Sequence, residues 1–315
     1  MDLKQLEYVV AIAEHGSISK AAQALYISQS GLNQQLIKLE KSLNIQLFYR
    51  TTHHLELTQA GKIYVKNARD IMNIKKRTYT QIGDLVDSNA GTIELGMTTE
   101  HGSNMFVDVF PEFSKRYPNV SLNLYEGIVR NQHEMLLAGH LDLGLVLVSE
   151  PDKLNLEYVH LYNERLVLGV NRSHPLARRY GAPPGAPFPL IDLSLFSGEP
   201  FSLIFASSTQ RSLLRPHFEA AGFEPKILFE TSMNHVLSKM VAHDICCTII
   251  PQSHASNYDQ VAWFYLTSDP VWEVAMVYNK NNPPSKAGWY FIKLAQEHGQ
   301  KMEEQLSRYY SSSAI

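Results

Sequence analysis

The stretch from Ser17 to Gly61 constrains this chain more than any other. It carries apolar residues at helical spacing in two short runs separated by a tight turn: Ala21, Ala22 and Leu25, then Leu32, Leu36 and Leu39. Ser17 and Ser28 stand where N-caps belong, each able to accept from a first-turn amide. The three leucines recur at i, i+4 and i+7 and so share one helix face. At about 100° per residue, Ser30, Asn33, Gln34 and Ile37 project from the opposite side. The small alanines of the first helix let the pair pack closely. An earlier run, Leu3, Leu6, Val9, Val10 and Ala13, predicts another helix ending near Gly16. Such a head puts short polar side chains where they can reach base edges in a major groove.

Residues 47–58 read as a short two-stranded hairpin. From Thr58 to about Ser88 there is no proline, and Ala60, Tyr64, Ala68, Ile71, Ile74, Ile82 and Leu85 keep a three-or-four-residue rhythm over roughly seven turns. A helix that long with one apolar stripe calls for a partner, either a second subunit or its own body. Past Gly91 strands alternate with helices. Strands are predicted at 92–97, 120–125 and 141–148, with helices at 104–116 and 131–138 between them. A second set follows, with strands at 165–170, 201–204, 226–230 and 246–250 and helices at 211–221 and 233–242. A strand at 273–278 and a helix at 285–305 close the pattern. The alternation implies parallel sheets covered by helices on both faces. Residues 181–200, with five prolines and three glycines, read as a surface loop.

At 315 residues the chain is too long for one ordinary domain. Its net charge of −3 supplies no overall basic field, but residues 1–90 carry +3 and residues 91–315 carry −6, a weak polarity in the sense a DNA-facing head requires. The N-terminus lacks the apolar run of a secretory signal, and no window holds eighteen uncharged apolar residues, so a cytoplasmic protein without a membrane partner is expected. Cys246 and Cys247 are the only cysteines and are neighbours. They read as buried thiols in an apolar strand; a redox role would need exposure and positive surroundings.

At these residues the chain resembles the LysR-type transcriptional regulators, over essentially its whole length. The pieces that carry the resemblance are Ser17-Ile18-Ser19-Lys20-Ala21-Ala22, Ser28-Gln29-Ser30, Leu39-Glu40, Leu47-Phe48-Tyr49-Arg50 and Leu57-Thr58-Gln59-Ala60-Gly61. Phe110-Pro111-Glu112-Phe113, Tyr117-Pro118-Asn119-Val120 and Leu141-Asp142-Leu143-Gly144-Leu145 add to it. The resemblance implies an N-terminal all-α winged helix-turn-helix (1–58), a long linker and dimerisation helix (59–88), and a two-lobed α/β effector-binding domain (91–305) similar to the type 2 periplasmic binding proteins. Lobe I would hold 91–160 and 268–305, lobe II 161–267, and 306–315 would be a tail. The implied partners are a double-stranded DNA operator, a small-molecule effector, a second copy in a homodimer with dimers pairing into homotetramers, and RNA polymerase if the outcome is activation. Effector closure of the lobes would respace the DNA-binding heads, a coupling of about 1–3 kcal/mol.

For DNA, the resemblance singles out Ser28, Gln29, Ser30, Asn33 and Gln34 as readers, Lys38 as a phosphate contact, and Arg50 and His53 in the wing. The family commonly has Ser and Arg where this chain has Asn33 and Gln34, which removes a cation from the reading face. His53 stands where arginine is usual and is either a weaker wing contact or a plain surface histidine. For the effector, it singles out Thr98, Thr99, Glu100 and His101 on one side, and Phe201, Ser202, Leu203, Glu230, Thr231 and Ser232 on the other. Carboxylates at Glu100 and Glu230 would leave room for a cationic or zwitterionic ligand if they face the cleft rather than solvent. Asp244 and Cys246 replace turn glycines common in the family, so the backbone there must change course or bear strain. No cofactor, metal site or catalytic constellation is expected: G-x-S-x-G, P-loop, H-E-x-x-H and a placeable Cys–His dyad are all missing. The competing reading is a non-catalytic small-molecule binding protein whose head serves only dimerisation.

Overall fold

The computed structural model describes residues 2–50, 55–85, 90–256 and 259–308, which fall into two units, Met1–Ser88 and Asn89–Ile315. His53 and linker positions 86–88 lie outside the described residues.

The first unit begins with α1 (Leu3–His15), closed by Gly16 in the left-handed conformation at φ 57°. Ser17 caps α2 (Ile18–Ala24), and Ser28 caps α3 (Gln29–Leu43). Leu32, Leu36 and Leu39 of α3 are all buried, packed with Leu6, Val9, Ile12, Ala21 and Ala22. Burial of each leucine contributes roughly 1.5–3 kcal/mol, enough to fix which face of α3 is left to solvent. The hairpin follows, β1 (Phe48–Arg50) antiparallel to β2 (Leu55–Leu57). Two hydrogen-bond sets hold it. Glu40 Oε1 accepts from the amides of Leu47 at 2.7 Å and Phe48 at 3.3 Å. Thr58 Oγ1 donates to Gln46 O and accepts from Gly61 N, starting α4 (Gln59–Leu85). A side chain at Gly61 would overlap the Leu47 backbone oxygen. The motifs Leu39-Glu40 and Thr58-Gln59-Ala60-Gly61 are therefore the fasteners of the wing.

The second unit starts with β3 (Ala90–Met97), α5 (His101–Arg116), β4 (Asn119–Glu126), α6 (Val129–Ala138) and β5 (Leu143–Val148). Here β3 lies between β4 and β5, parallel to both, as helical crossovers require. A 15-residue strand, β6 (Glu157–Asn171), then leaves this sheet and enters the next. Beyond it come α7 (Pro175–Tyr180), β7 (Leu190–Ile191), β8 (Pro200–Ile204), α8 (Thr209–Ala220), β9 (Lys226–Thr231), α9 (Asn234–Ala242), β10 (Thr248–Pro251) and β11 (Val261–Leu266). β12 (Val271–Tyr278) and α10 (Lys286–Ser307) return to the first sheet.

Parallel pairing, as in β3 with β4 and β5 and in β8 with β9, is joined by antiparallel pairing that the alternation did not reveal. β12 runs antiparallel to β5 and β6, and β6 runs antiparallel to β10 and β11. The two connecting strands cross between lobes in opposite directions, so each meets its neighbours head to tail. β6 pairs with β12 through Arg165 and with β10 and β11 from Leu166 or Val167 onward. The change of lobe thus falls at 165/166, not at the expected 160/161. At the other end, α10 runs through Ser307 and takes in the first residues assigned to the tail. β11 escaped the sequence reading because all six of its residues are buried, which erases the alternation a half-exposed strand shows. The Pro-rich segment 181–200 is not a bare loop: it buries Phe188, Ile191, Leu193 and Phe196 and adds β7 beside β11.

Candidate functional site

In the first unit α3 carries the expected readers. Gln29, Ser30, Gln34 and Lys38 are exposed. Ser28 is exposed as well, but its hydroxyl accepts from Gly31 N at 3.1 Å, so its first task is capping. Asn33 is half-buried, and its Oδ1 has no hydrogen-bond partner among the described residues. Bidentate engagement of an adenine by Asn33 requires this amide to turn outward. Arg50 sits in β1, opposite Leu55. With the caps of α2 and α3 in place and the leucines buried, the outer surface of α3 is a polar strip without carboxylates from Gln29 to Lys38, the chemistry that suits base edges flanked by phosphates.

In the second unit a cavity of roughly 140 Å³ lies at the carboxyl ends of β3 and β8, where open α/β sheets bind ligands. Thr98, Thr99, Glu100 and His101 line it. Gly102 makes this corner possible: a Cβ there would collide with Met97, so only glycine lets α5 start this close to β3. The opposite wall differs from expectation. Phe201, Ser202 and Leu203 do not line the cavity; they are fully buried within β8, and the Ser202 carbonyl accepts from Thr248 Oγ1 at 2.7 Å. Glu230 and Thr231 are displaced in the same sense: Glu230 faces Arg211 at 3.5 Å, and Thr231 Oγ1 accepts from Met233 N. The lining comes from Ile204 at the end of β8 and the residues after it, Phe205, Ser207, Ser208, Thr209 and Gln210, and after β9 from Asn234 and from Ser232, a position the resemblance had placed here. Ile128, Val129, Leu147 and Trp272 add apolar walls. The signal overlooked was Ser207-Ser208-Thr209, a hydroxyl run between a strand and a helix cap. Among the described residues no lysine or arginine lines the cavity.

Behind this wall lies a buried polar cluster. Glu164, on β6 and essentially inaccessible, accepts from Ser253 N at 2.7 Å and Trp272 Nε1 at 3.2 Å and faces His101 Nε2 at 2.7 Å. Burial opposes its charge, but His101 and the Ser253 donors prevail and hold the carboxyl down at about 2. His254 packs against His101 with ring centroids 4.5 Å apart and the ring planes tilted by 45°. Burial, then His101, pull its pKa down to about 4 against the attraction of Glu100 and Glu164. Glu100 accepts from Asn234 N at 2.8 Å, Asn234 Nδ2 at 2.7 Å and His235 N at 3.3 Å, and faces His235 Nδ1 at 3.1 Å. Burial again works against its charge, yet His254 and these donors keep the carboxyl below its ordinary value. Both oxygens are thus engaged by protein, which removes Glu100 as a free anchor for a cationic ligand.

Cys246 and Cys247 are buried, reduced and away from the cavity, and burial raises both thiol pKa values. Asp244 takes the left-handed conformation at φ 59°, held by Ser173 Oγ at 3.0 Å. The glycine replacement there is met by strain, which aspartate tolerates better than most residues. Among the described residues no group of His, Cys, Asp and Glu is arranged to hold a metal, and no helix is long and apolar enough to cross a membrane.

Comparison with known proteins bears on both sites. Residues 3–62 match the family model described as bacterial regulatory helix-turn-helix protein, lysR family, and residues 87–300 match the LysR substrate binding domain. The uncharacterized HTH-type transcriptional regulator YybE of Bacillus subtilis is 29% identical over 80% of this chain and 82% of its own length. The hydrogen peroxide-inducible genes activator of Pectobacterium carotovorum is 25% identical over 98% of this chain and 100% of its own. Among solved structures, full-length OxyR from Pseudomonas aeruginosa aligns with a TM-score of 0.68 at 18% identity, covering 94% of this chain and 98% of that one. CbnR in complex with its target DNA aligns at 0.57 and 21%, covering 94% and 99%.

Proposed function

The chain belongs to the LysR family of bacterial helix-turn-helix regulators, and from that premise we propose how its residues divide the work. It is a DNA-binding transcriptional regulator whose activity a small molecule modulates through the two-lobed domain. Gln29, Ser30, Asn33 and Gln34 read bases, while Lys38 and Arg50 meet the backbone. The observation that carries this is the outer face of α3, polar from Gln29 to Lys38 and opposite three buried leucines.

The effector sits between Thr98, Thr99 and His101 on one side and Ser207, Ser208, Thr209 and Ser232 on the other, against Trp272 and Leu147. Hydroxyls and apolar walls without a lysine or arginine favour a small, partly apolar ligand recognised by neutral hydrogen bonds. A thiol-based response finds no support here, since both cysteines are buried with raised pKa values. A second copy of the chain supports the DNA-binding form, because Ile63, Ile74, Tyr79 and Ile82 of α4 are exposed.

The test is a pull-down of genomic fragments by the full-length protein at about 0.1 M salt, beside Asn33→Ala/Gln34→Ala. Enrichment of a few interrupted palindromes by the parent and not by the variant is expected. Retention of fragments without a common site by both would return the head to a dimerisation role.

A further inference from the structure

Glu100 is placed to do something other than touch the effector. It opens α5 in the first lobe, whereas the groups it binds open α9 in the second, 134 residues later. The N-cap of α9 is Met233, whose side chain makes no capping bond. Without an acceptor the first-turn amide of Asn234, a buried residue, would be left unpaired and that of His235 would be left to solvent. The carboxylate of Glu100 takes the amides of Asn234 and His235 together with the Asn234 side chain, at 2.7–3.3 Å. A negative charge at a helix N-terminus also meets the positive end of the helix dipole. The first lobe therefore supplies a cap that the second lobe lacks.

We infer that Glu100 is an interlobe latch: its carboxylate caps α9 across the cleft and holds the two lobes in the closed arrangement beside the effector cavity. A mostly buried histidine stands beside the latch. His254 Nε2, shielded and without a hydrogen-bond partner among the described residues, lies 3.8 Å from Glu100 Oε2. His254 belongs to the turn after β10, which is tied to β6 by Ser253 N to Glu164 and to α10 by Gln252 Nε2 to Leu306 O. The regulatory consequence rests on the effector reading above: a ligand spanning Thr98 and Ser208 closes the same gap, so the latch sets how far closure is prepaid before it binds.

Two measurements on the full-length, ligand-free protein test the latch. Hydrogen exchange of Glu100→Ala is expected to accelerate at least tenfold at Asn234 and His235 while β3 and β5 keep parental protection. Spin labels on Glu112→Cys in α5 and Glu219→Cys in α8 are expected to report a longer, broader interlobe distance in Glu100→Ala than in the parent. Unchanged exchange overturns the latch. Faster exchange at an unchanged distance overturns it too, because it reduces Glu100 to a helix cap. If Glu100→Ala does not fold, Glu100→Gln, which keeps one acceptor oxygen, is read by the same two criteria. Neither readout involves an effector, so the effector reading fails separately, by absence of saturable ligand binding to the parent.

Discussion

The reading face of α3 and the interlobe cavity are both built from small polar side chains, yet their states differ. On α3 the side chains of Gln29, Ser30, Gln34 and Lys38 are exposed to a partner, and Asn33 has only to turn to join them. Around the cavity the strongest groups, Glu100, His101 and Glu164, are already bound to one another's surroundings. An exposed recognition face contributes little to folding, whereas a paired, buried one is part of the fold. Changes on α3 should therefore alter recognition at constant stability, and changes behind the cavity should alter stability first.

The largest effect is expected at Glu164. Glu164→Ala leaves Ser253 N, Trp272 Nε1 and His101 without their shared acceptor, and breaking a buried, charge-assisted set costs about 3–5 kcal/mol. Urea unfolding of the full-length protein reads this directly; a loss below about 1 kcal/mol, the worth of one ordinary hydrogen bond, would remove Glu164 from the fold's foundations. Acid should act on the same cluster. His254 and Glu164 both have depressed pKa values, about 4 and about 2, so each stabilises the folded state above its unfolded value and loses that contribution as pH falls. Stability is expected to decline from about pH 6.5 toward 4 through His254, then from about 4.5 toward 2 through Glu164, the latter amounting to about 3 kcal/mol. Unfolding midpoints that stay flat between pH 6.5 and 4 would show that His254 is not held neutral by its burial.

On the reading face the expectation reverses. Asn33→Ala/Gln34→Ala should cost about 1–3 kcal/mol of base discrimination for each bidentate pair removed, roughly a 5- to 150-fold drop in preference for the operator over random DNA. Its unfolding free energy should stay within about 0.5 kcal/mol of the parent, as for surface changes generally. Competition titrations paired with urea melts measure both. A stability loss comparable to the binding loss would break the comparison, since the reading face would then be structural too.

The contrast also accounts for what the sequence made legible. Ser17, Ser28, Gly16 and the three leucines of α3 act within a turn or two of themselves, so their spacing alone revealed caps, helix ends and faces. The cavity gathers residues from Thr98 to Trp272, and no local period encodes which end of a strand faces a cleft. The first-lobe wall was found because β3, the turn and α5 are contiguous. On the second wall the reading stopped on the strand itself, at Phe201, Ser202 and Leu203, and missed the hydroxyls that follow it at Ser207, Ser208 and Thr209. Glu164 was invisible for another reason: an acid between Asn163 and Arg165 looks like a surface position until the fold is seen to bury it. The role of Glu100 toward α9 depends on a fold-back of 134 residues and had no sequence signature.

Ser28 and Ser208 carry the comparison to its smallest scale. Both are N-caps, and each hydroxyl accepts from the amide three residues on at 3.1 Å, Gly31 N in one and Arg211 N in the other. Replacing either with alanine removes the same bond, so Ser28→Ala and Ser208→Ala should each cost about 0.5–2 kcal/mol in urea unfolding. Their functional effects should not match. Ser28→Ala frays the turn that carries Gln29 and Ser30 and should weaken operator binding several-fold. Ser208→Ala loosens the start of α8 beside the cavity and should leave ligand-free operator binding within about twofold of the parent, a shift under 0.5 kcal/mol by the tenfold-per-1.4 kcal/mol relation. Titration of one operator fragment with the three proteins settles it. If the two variants weaken binding equally, operator affinity follows stability rather than the surface of α3, and the separation between a waiting face and a committed one fails at its most closely matched pair.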